Sequence, residues 1–172
     1  MKNVLRLIRY DWPMHFILLV TNWLPDNVIF LRLRGALCRP FFGSCGKNLR
    51  LGRNITFYNC SNIFLGSNIY IAEGNWFSAS DKITIGSEVL FGPKCVITSS
   101  NHSLMGNSYR YGKPTSKPIS IDFGCWVAAN CTITAGTHIG EGSLIAANTV
   151  ARGKIPPMSI YSSPKAEIIK KK

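Results

Sequence analysis

A six-residue repeat restricts the fold of this 172-residue chain more than any other feature. From Ile121 the sequence divides into the consecutive blocks IDFGCW, VAANCT, ITAGTH, IGEGSL and IAANTV. Each block begins with an aliphatic residue, and its fifth residue is small. The same frame fits the three blocks from Ile85 to His102. Weaker copies of the block begin at Leu51, Leu65 and Ile71.

A period of six is neither the helical 3.6 nor the alternation of a simple strand. A short strand followed by a tight turn produces it, with the aliphatic residue pointing into a narrow prism. Three such sides form one coil of about eighteen residues, and stacked coils hydrogen-bond strand to strand. The sequence therefore predicts an all-β protein, a parallel β-helix over residues 45–160. In this fold Cys95, Cys125 and Cys131 act as small interior hydrophobes.

The distribution of charge separates the chain into three parts. The formal net charge of +12 lies almost wholly in residues 1–53 and 152–172, while the middle is neutral. Basic ends suit phosphates, anionic lipid or nucleic acid. The only argument for nucleic-acid binding is the charge, because the repeat carries no matching motif or stacking surface. Nucleic-acid binding is therefore not predicted. Without a C-x-x-C pair, and with three histidines, the sequence does not favour a metal site either.

Residues 1–44 are predicted to form a basic, amphipathic helical cap. Lys2, Arg6 and Arg9 are spaced to share one helix face. The cap would cover the open end of the β-helix and its strand edges, and it would also suit contact with a membrane surface. The apolar run MHFILLVTNWL is too short to cross a bilayer, so a cytoplasmic protein, peripheral on the inner face of the membrane, is expected. Residues 161–172 are expected to be a basic tail that includes a short helix.

The repeat breaks off in CVITSSNHSLMGNSYRYGKPTSKPISI. Residues 103–118 lack the aliphatic frame, and their glycines and prolines predict an ordered, projecting loop. His102 is the last residue of the hexad before this loop, which places it at a corner of the prism. A histidine there can serve as a general base, or it can merely cap the loop.

The hexads, the NHSLMG segment and the run KPISIDFGCWVAANCTITAGTHIGEGSLIAANTV resemble the hexapeptide-repeat acyltransferases. Within that family the chain is most similar to O-acetyltransferases that act on sugars and cell-surface polysaccharides. The resemblance implies a left-handed β-helix, acetyl-CoA as the donor co-substrate and no metal. It implies a saccharide acceptor, either a cell-surface polysaccharide or its lipid-linked precursor. It also implies a homotrimer with its sites between neighbouring subunits.

The resemblance also assigns roles to individual residues. His102 would deprotonate the acceptor hydroxyl. Asn75, for which a turn role is the alternative, and Asn101 would bind the acceptor. The donor would contact Trp126, Ala128, Ala146 and Lys165.

Two other functions remain open at this stage. One is N-acetylation of an amino-sugar nucleotide, although the chain has no room for the nucleotide-binding domain that often accompanies that chemistry. The other is a non-catalytic β-helix binding protein, which the placement of His102 beside a loop argues against.

The repeat also predicts which residues stack on one another. Ile119, Ile121, Cys131 and Ile133 should lie above Ile83, Ile85, Cys95 and Ile97. His138 follows His102 by 36 residues. If residues 103–118 project outward, the rest of that interval forms only the next coil, so His138 is expected one rung above His102.

Overall fold

The computed structural model describes residues 2–164, which form an N-terminal helical segment followed by a β-solenoid. The helical segment consists of α1 (Lys2–Arg6), a π-helical turn (Leu7–Asp11), α2 (Trp12–Thr21), α3 (Val28–Cys38) and a 3₁₀ turn (Arg39–Phe41). No helix in this part of the chain is long and apolar enough to span a membrane. Lys165 and most of the expected basic tail lie outside the described residues.

The solenoid has three parallel sheets, one for each side of the prism. The first sheet contains β1 (Ser44–Cys45), β4 (Ile63–Leu65), β7 (Ile83–Ile85), β12 (Ile119–Ile121), β15 (His138–Ile139) and β18 (Lys154–Ile155). The second contains β2 (Arg50–Leu51), β5 (Tyr70–Ile71), β8 (Leu90–Phe91), β13 (Trp126–Val127), β16 (Leu144–Ile145) and β19 (Ile160–Tyr161). The third contains β3 (Thr56–Tyr58), β6 (Trp76–Ser78), β9 (Val96–Thr98), β14 (Thr132–Ile133) and β17 (Val150–Ala151). Two further strands, β10 (Ser100–Asn101) and β11 (Thr115–Ser116), pair antiparallel outside the prism.

The hexads occupy the interior as predicted. Every block from Ile121 to Val150 buries its first residue almost completely, and its small fifth residue is buried at a corner. The fourth position of each block adopts a left-handed backbone: Gly124, Asn130, Gly136, Gly142 and Asn148. Glycine and asparagine adopt this conformation most readily, which explains why these two residue types alternate there. This turn position is a sequence signal that the aliphatic frame alone overlooks.

The early coils are longer than the repeat predicts. Cys45 pairs with Leu65, and Leu65 pairs with Ile85, so these turns contain 20 residues each. The extra residues lie at the corner between the third and first sheets, where Cys60 and Ala79 point into the core. Because the corner is longer, the hexad frame slips twice in this region, and the early copies of the repeat are weak.

The helical segment packs on the first coil. Met14, Leu18 and Cys38 join the same apolar core as the first-coil side chains. Arg34 is completely buried at this joint, where Nη1 bonds to a carboxylate oxygen of Asp26 at 2.7 Å. Its guanidinium also donates to the backbone carbonyls of Thr21, Leu24 and Leu51. This arginine therefore serves packing, although its charge contributes to the basic end of the sequence.

The predicted stacking of the interior residues is confirmed, and the predicted stacking of the histidines is wrong. Ile121 pairs with Ile85, and Ile133 pairs with Ile97. His138, however, pairs with Ser120, because the loop leaves the prism before His102 and the chain re-enters through β12. The ring of His138 contacts Asp122 instead, with Nε2 and Oδ2 2.9 Å apart.

Candidate active site

His102 lies at the base of the projecting loop, at the corner between the third and first sheets. The preceding strand β10 pairs with β11, and the pair Asn101–Thr115 closes the loop immediately beside the histidine. The loop also folds on itself, since the hydroxyl of Ser103 donates to the carbonyl of Lys113. His102 is exposed, so its ring is accessible to a substrate. Asn101 is exposed beside it.

Gly112 shows how tightly the base of this loop is closed. A Cβ on Gly112 would lie 1.6 Å from the carbonyl oxygen of Ser103, so only glycine fits between the two arms of the loop. This contact and the β10–β11 pair fix the segment that carries His102. A backbone held in this way loses little conformational entropy when its residues engage a substrate.

Asn75 has a different environment from the one that acceptor binding requires. Its side chain is 1% exposed, and its amide nitrogen donates to the carbonyls of Ala72 and Gly92. Its amide oxygen accepts from the backbone nitrogen of Cys95. The amide therefore stabilises a corner of the prism, which supports the alternative turn role and leaves Asn101 as the exposed asparagine.

The residues expected to contact the donor lie near one another. Trp126 is on β13 and is 50% exposed, and Ala128 follows it at the corner between the second and third sheets. Ala146 occupies the corresponding position one rung above Ala128, because Val127 pairs with Ile145. Ala146 is partly exposed and Ala128 is buried, so only part of this corner is accessible to a ligand. The structure therefore brings three of the four predicted donor residues together, while Lys165 lies outside the described residues.

His102 and the donor residues do not meet within one chain. His102 leaves the prism between the third and first sheets, whereas Ala128 and Ala146 lie between the second and third sheets. These are different corners of the triangular cross-section. A site that uses both sets of residues therefore needs a second copy of the chain, placed so that its donor corner faces the histidine.

The cysteines do not add chemistry to this site. All six are free, and Cys95, Cys125 and Cys131 are buried as predicted. Burial raises the pKa of the Cys38 thiol to about 12 and also raises the pKa of Cys125. A thiol held protonated in an apolar interior is a poor nucleophile and a poor metal ligand. The neighbouring Cys95 thiol lowers the pKa of Cys131 to about 7, but Cys131 is completely buried and so out of reach of a substrate. Within residues 2–164, no group of three or more potential metal-ligating side chains occurs.

Comparison with known proteins identifies relatives of this architecture, although no family model matches the sequence. Galactoside O-acetyltransferase of Escherichia coli is 28% identical over 138 residues, which are 80% of this chain and 68% of that protein. WbbJ of Escherichia coli is named for O-acetyl transfer in lipopolysaccharide biosynthesis. It is 31% identical over 122 residues, 63% of this chain and 60% of WbbJ, so the match spans less than two thirds of that protein.

A solved structure shares both the fold and the repeat. The hexapeptide-repeat acetyltransferase of Vibrio cholerae, in complex with acetyl coenzyme A, is 26% identical to this chain with a TM-score of 0.76. The similarity covers 93% of this chain and 85% of that structure. Repeat, fold and sequence thus make this chain similar to O-acetyltransferases and to hexapeptide-repeat acetyltransferases of known structure.

Proposed function

We propose that the protein transfers an acetyl group from acetyl-CoA to a hydroxyl of a saccharide, with His102 as the general base. The observation that carries the proposal is the exposed histidine fixed at the base of a closed loop. The loop projects from a solenoid that is similar to a structure solved with acetyl coenzyme A. The names of the two Escherichia coli relatives support oxygen as the acceptor atom.

The reaction is a direct transfer. A ring nitrogen of His102 takes the proton of the acceptor hydroxyl while the hydroxyl oxygen attacks the thioester carbon of acetyl-CoA. The tetrahedral intermediate then collapses, the carbon–sulfur bond breaks, and the CoA thiolate takes the proton from the imidazolium. Asn101, exposed beside His102, is placed to orient the acceptor. Trp126, Ala128 and Ala146 line the surface proposed for the donor, and the Lys165 region would meet the CoA phosphates.

A homotrimer completes the proposed site. His102 and the donor corner lie at different edges of one prism, so a neighbouring copy must supply one of them. The outward side chains of the second sheet form an apolar column suited to such a contact: Tyr70, Leu90, Trp126, Leu144 and Ile160. Sedimentation should show a trimer, and Leu144→Glu should weaken it. An active monomer would contradict the shared site.

The helical segment is proposed to contact the inner face of the membrane. α1, the π-helical turn and α2 carry an outward apolar stripe at helical spacing, which the turn after α2 extends. Its residues are Leu5, Ile8, Trp12, Phe16, Leu19 and, in the turn, Trp23. The opposite side of α2 packs on the solenoid through Met14 and Leu18, so these helices are apolar on both sides. An interfacial helix combines such a stripe with nearby basic residues, here Arg9 and Arg32. Vesicles containing anionic lipid should bind the protein, and Ile8→Glu should reduce that binding.

The reaction is tested by replacing the proposed base. His102→Ala should lower turnover about 100-fold or more, the usual scale for a lost general base. Its fold and affinity for CoA should be retained, because the side chain is exposed. The assay measures, by mass spectrometry, the gain of one acetyl group on a galactoside incubated with acetyl-CoA.

The matched control is His138→Gln, which removes the imidazole that contacts Asp122 on the first sheet. It should leave turnover within about twofold of wild type, since nothing places it beside the reacting groups. Full activity of His102→Ala would overturn the role of His102. Acetylation of an amino sugar in preference to every hydroxyl acceptor would favour the N-acetyltransferase alternative.

A further inference from the structure

A groove of about 710 Å³ lies between α2 and the first strand of the third sheet. Its walls are mainly apolar and include Trp12, Phe16, Leu19, Ile55, Phe57 and Tyr58. Apolar and aromatic walls of this kind are typical of sites that enclose hydrophobic ligands. Asp11, at one end, turns its carboxylate inward, where Oδ1 accepts from the backbone nitrogen of Cys60 and Oδ2 is buried.

The groove and His102 lie on the same side of the prism. Tyr58 on β3 pairs with Ser78 on β6, and Ser78 pairs with Thr98 on β9, just before the loop that carries His102. Neighbouring strands are about 4.8 Å apart, so the groove lies roughly 10 Å below the level of β9. The aromatic wall continues in that direction, because the rings of Tyr58 and Trp76 lie 5.5 Å apart.

The groove also opens on the outward stripe of the helical segment. Trp12, Phe16 and Leu19 belong both to the stripe and to the groove wall. Arg9 is exposed near this end. Asp26 is paired with Arg34, and Asp11 accepts one hydrogen bond from the backbone nitrogen of Cys60 through Oδ1, while its buried Oδ2 has no partner. A hydrocarbon chain linked through a phosphate to a saccharide would meet apolar walls, a nearby cation and a path towards the histidine.

We propose that this groove binds the hydrocarbon chain of a lipid-linked saccharide and presents the saccharide to His102. The inference rests on the proposed function for the acceptor class, whereas binding of the chain itself does not require catalysis. It predicts that a longer alkyl chain on one sugar improves binding and turnover, because each additional methylene that enters the groove removes more apolar surface from water.

The experiment compares methyl and dodecyl β-galactoside below the micelle-forming concentration, without vesicles. The full-length protein is tested as wild type, as Leu19→Glu and as Val20→Glu. Leu19 and Val20 are neighbours on α2 and are 57% and 65% exposed, but only Leu19 lines the groove. Wild type and Val20→Glu should bind the dodecyl compound at least tenfold more tightly than the methyl compound, as measured by calorimetry. Leu19→Glu should lose that preference and bind both compounds about as weakly as wild type binds the methyl compound.

Equal binding of the two glycosides by wild type would overturn the groove assignment. A Leu19→Glu protein that still prefers the dodecyl compound would also overturn it. The same holds if Leu19→Glu loses the preference only because its oligomeric state changes in sedimentation, since the groove would then be an interface between copies. Binding that depends on chain length and on Leu19, with no acetyl transfer to either glycoside, would support the groove and contradict the proposed reaction.

Discussion

The helical segment and the solenoid are both rich in apolar residues, but they distribute them differently. In the solenoid, residues such as Ile121 and Ile133 point into the prism and are almost fully buried. In the helical segment, Met14 and Leu18 are buried while Phe16 and Leu19 on the same helix are more than half exposed. A repeat that closes on itself buries its apolar positions within one chain. A helix that lies against it can bury only one side, so its other side is available for a lipid surface or a ligand.

The joint between these two regions should show the largest effect on stability. Arg34→Ala would remove the buried guanidinium that bonds to the Asp26 carboxylate and to three backbone carbonyls, at a cost of about 3–5 kcal/mol in the free energy of unfolding. Arg32 lies two residues earlier on the same helix and is exposed, so Arg32→Ala should cost less than about 0.5 kcal/mol. Urea unfolding of the two variants measures the difference. Equal effects would mean that the buried guanidinium does not hold the regions together.

The second largest effect on stability should come from truncating an apolar side chain in the solenoid, whereas the same kind of truncation on the helical segment should have little effect. Ile133→Ala creates a cavity in the prism and should cost about 2–4 kcal/mol. Ile29 on α3 is 74% exposed, and Ile29→Ala should change the free energy of unfolding by less than about 0.5 kcal/mol. Thermal and urea unfolding in the absence of lipid provide the measurement. A large loss for Ile29→Ala would show that a further copy of the chain already covers this helix face.

The corners of the solenoid should be sensitive to backbone conformation rather than to burial. Asn148 has φ 59°, and alanine in that conformation costs about 1–2 kcal/mol, so Asn148→Ala should destabilise the protein by roughly that amount. Asn148→Gly should be close to neutral, because glycine adopts the same conformation without strain. If both variants unfold at the same urea concentration, the corner is held by the asparagine side chain and not by its backbone.

The surface pair on the first sheet should give the smallest effect. His138 and Asp122 are 2.9 Å apart, but their side chains remain 41% and 45% exposed. Exposed pairs contribute about 0–1 kcal/mol, so His138→Gln should change the free energy of unfolding by less than about 0.5 kcal/mol. Urea unfolding at neutral pH measures the effect. A cost as large as that of Ile133→Ala would indicate a structural role that the exposure of the pair does not suggest.

The regular part of the fold was predictable because its signal is local. An aliphatic residue every sixth position defines the prism, and the end of the hexads near His102 indicates the loop, which in the structure leaves the prism just before that residue. The residues predicted to line the donor corner are also close in sequence or separated by one coil, as Ala128 and Ala146 are. The burial of Cys95, Cys125 and Cys131 followed from the same period, since a small side chain must stand at each crowded corner.

The remaining features depend on contacts between distant parts of the chain. The 20-residue early coils and the pairing of His138 with Ser120 depend on where the chain leaves and re-enters the prism, which a count of hexads does not specify. Asn75 is buried through bonds to neighbouring coils, and Arg34 through bonds to the linker and the first coil. The sequence by itself determined the repeat, the interior positions and the loop, because each arises from a short period. Only the tertiary structure decided which polar groups are buried, and which corner each site residue occupies, because those depend on the stacking of whole coils.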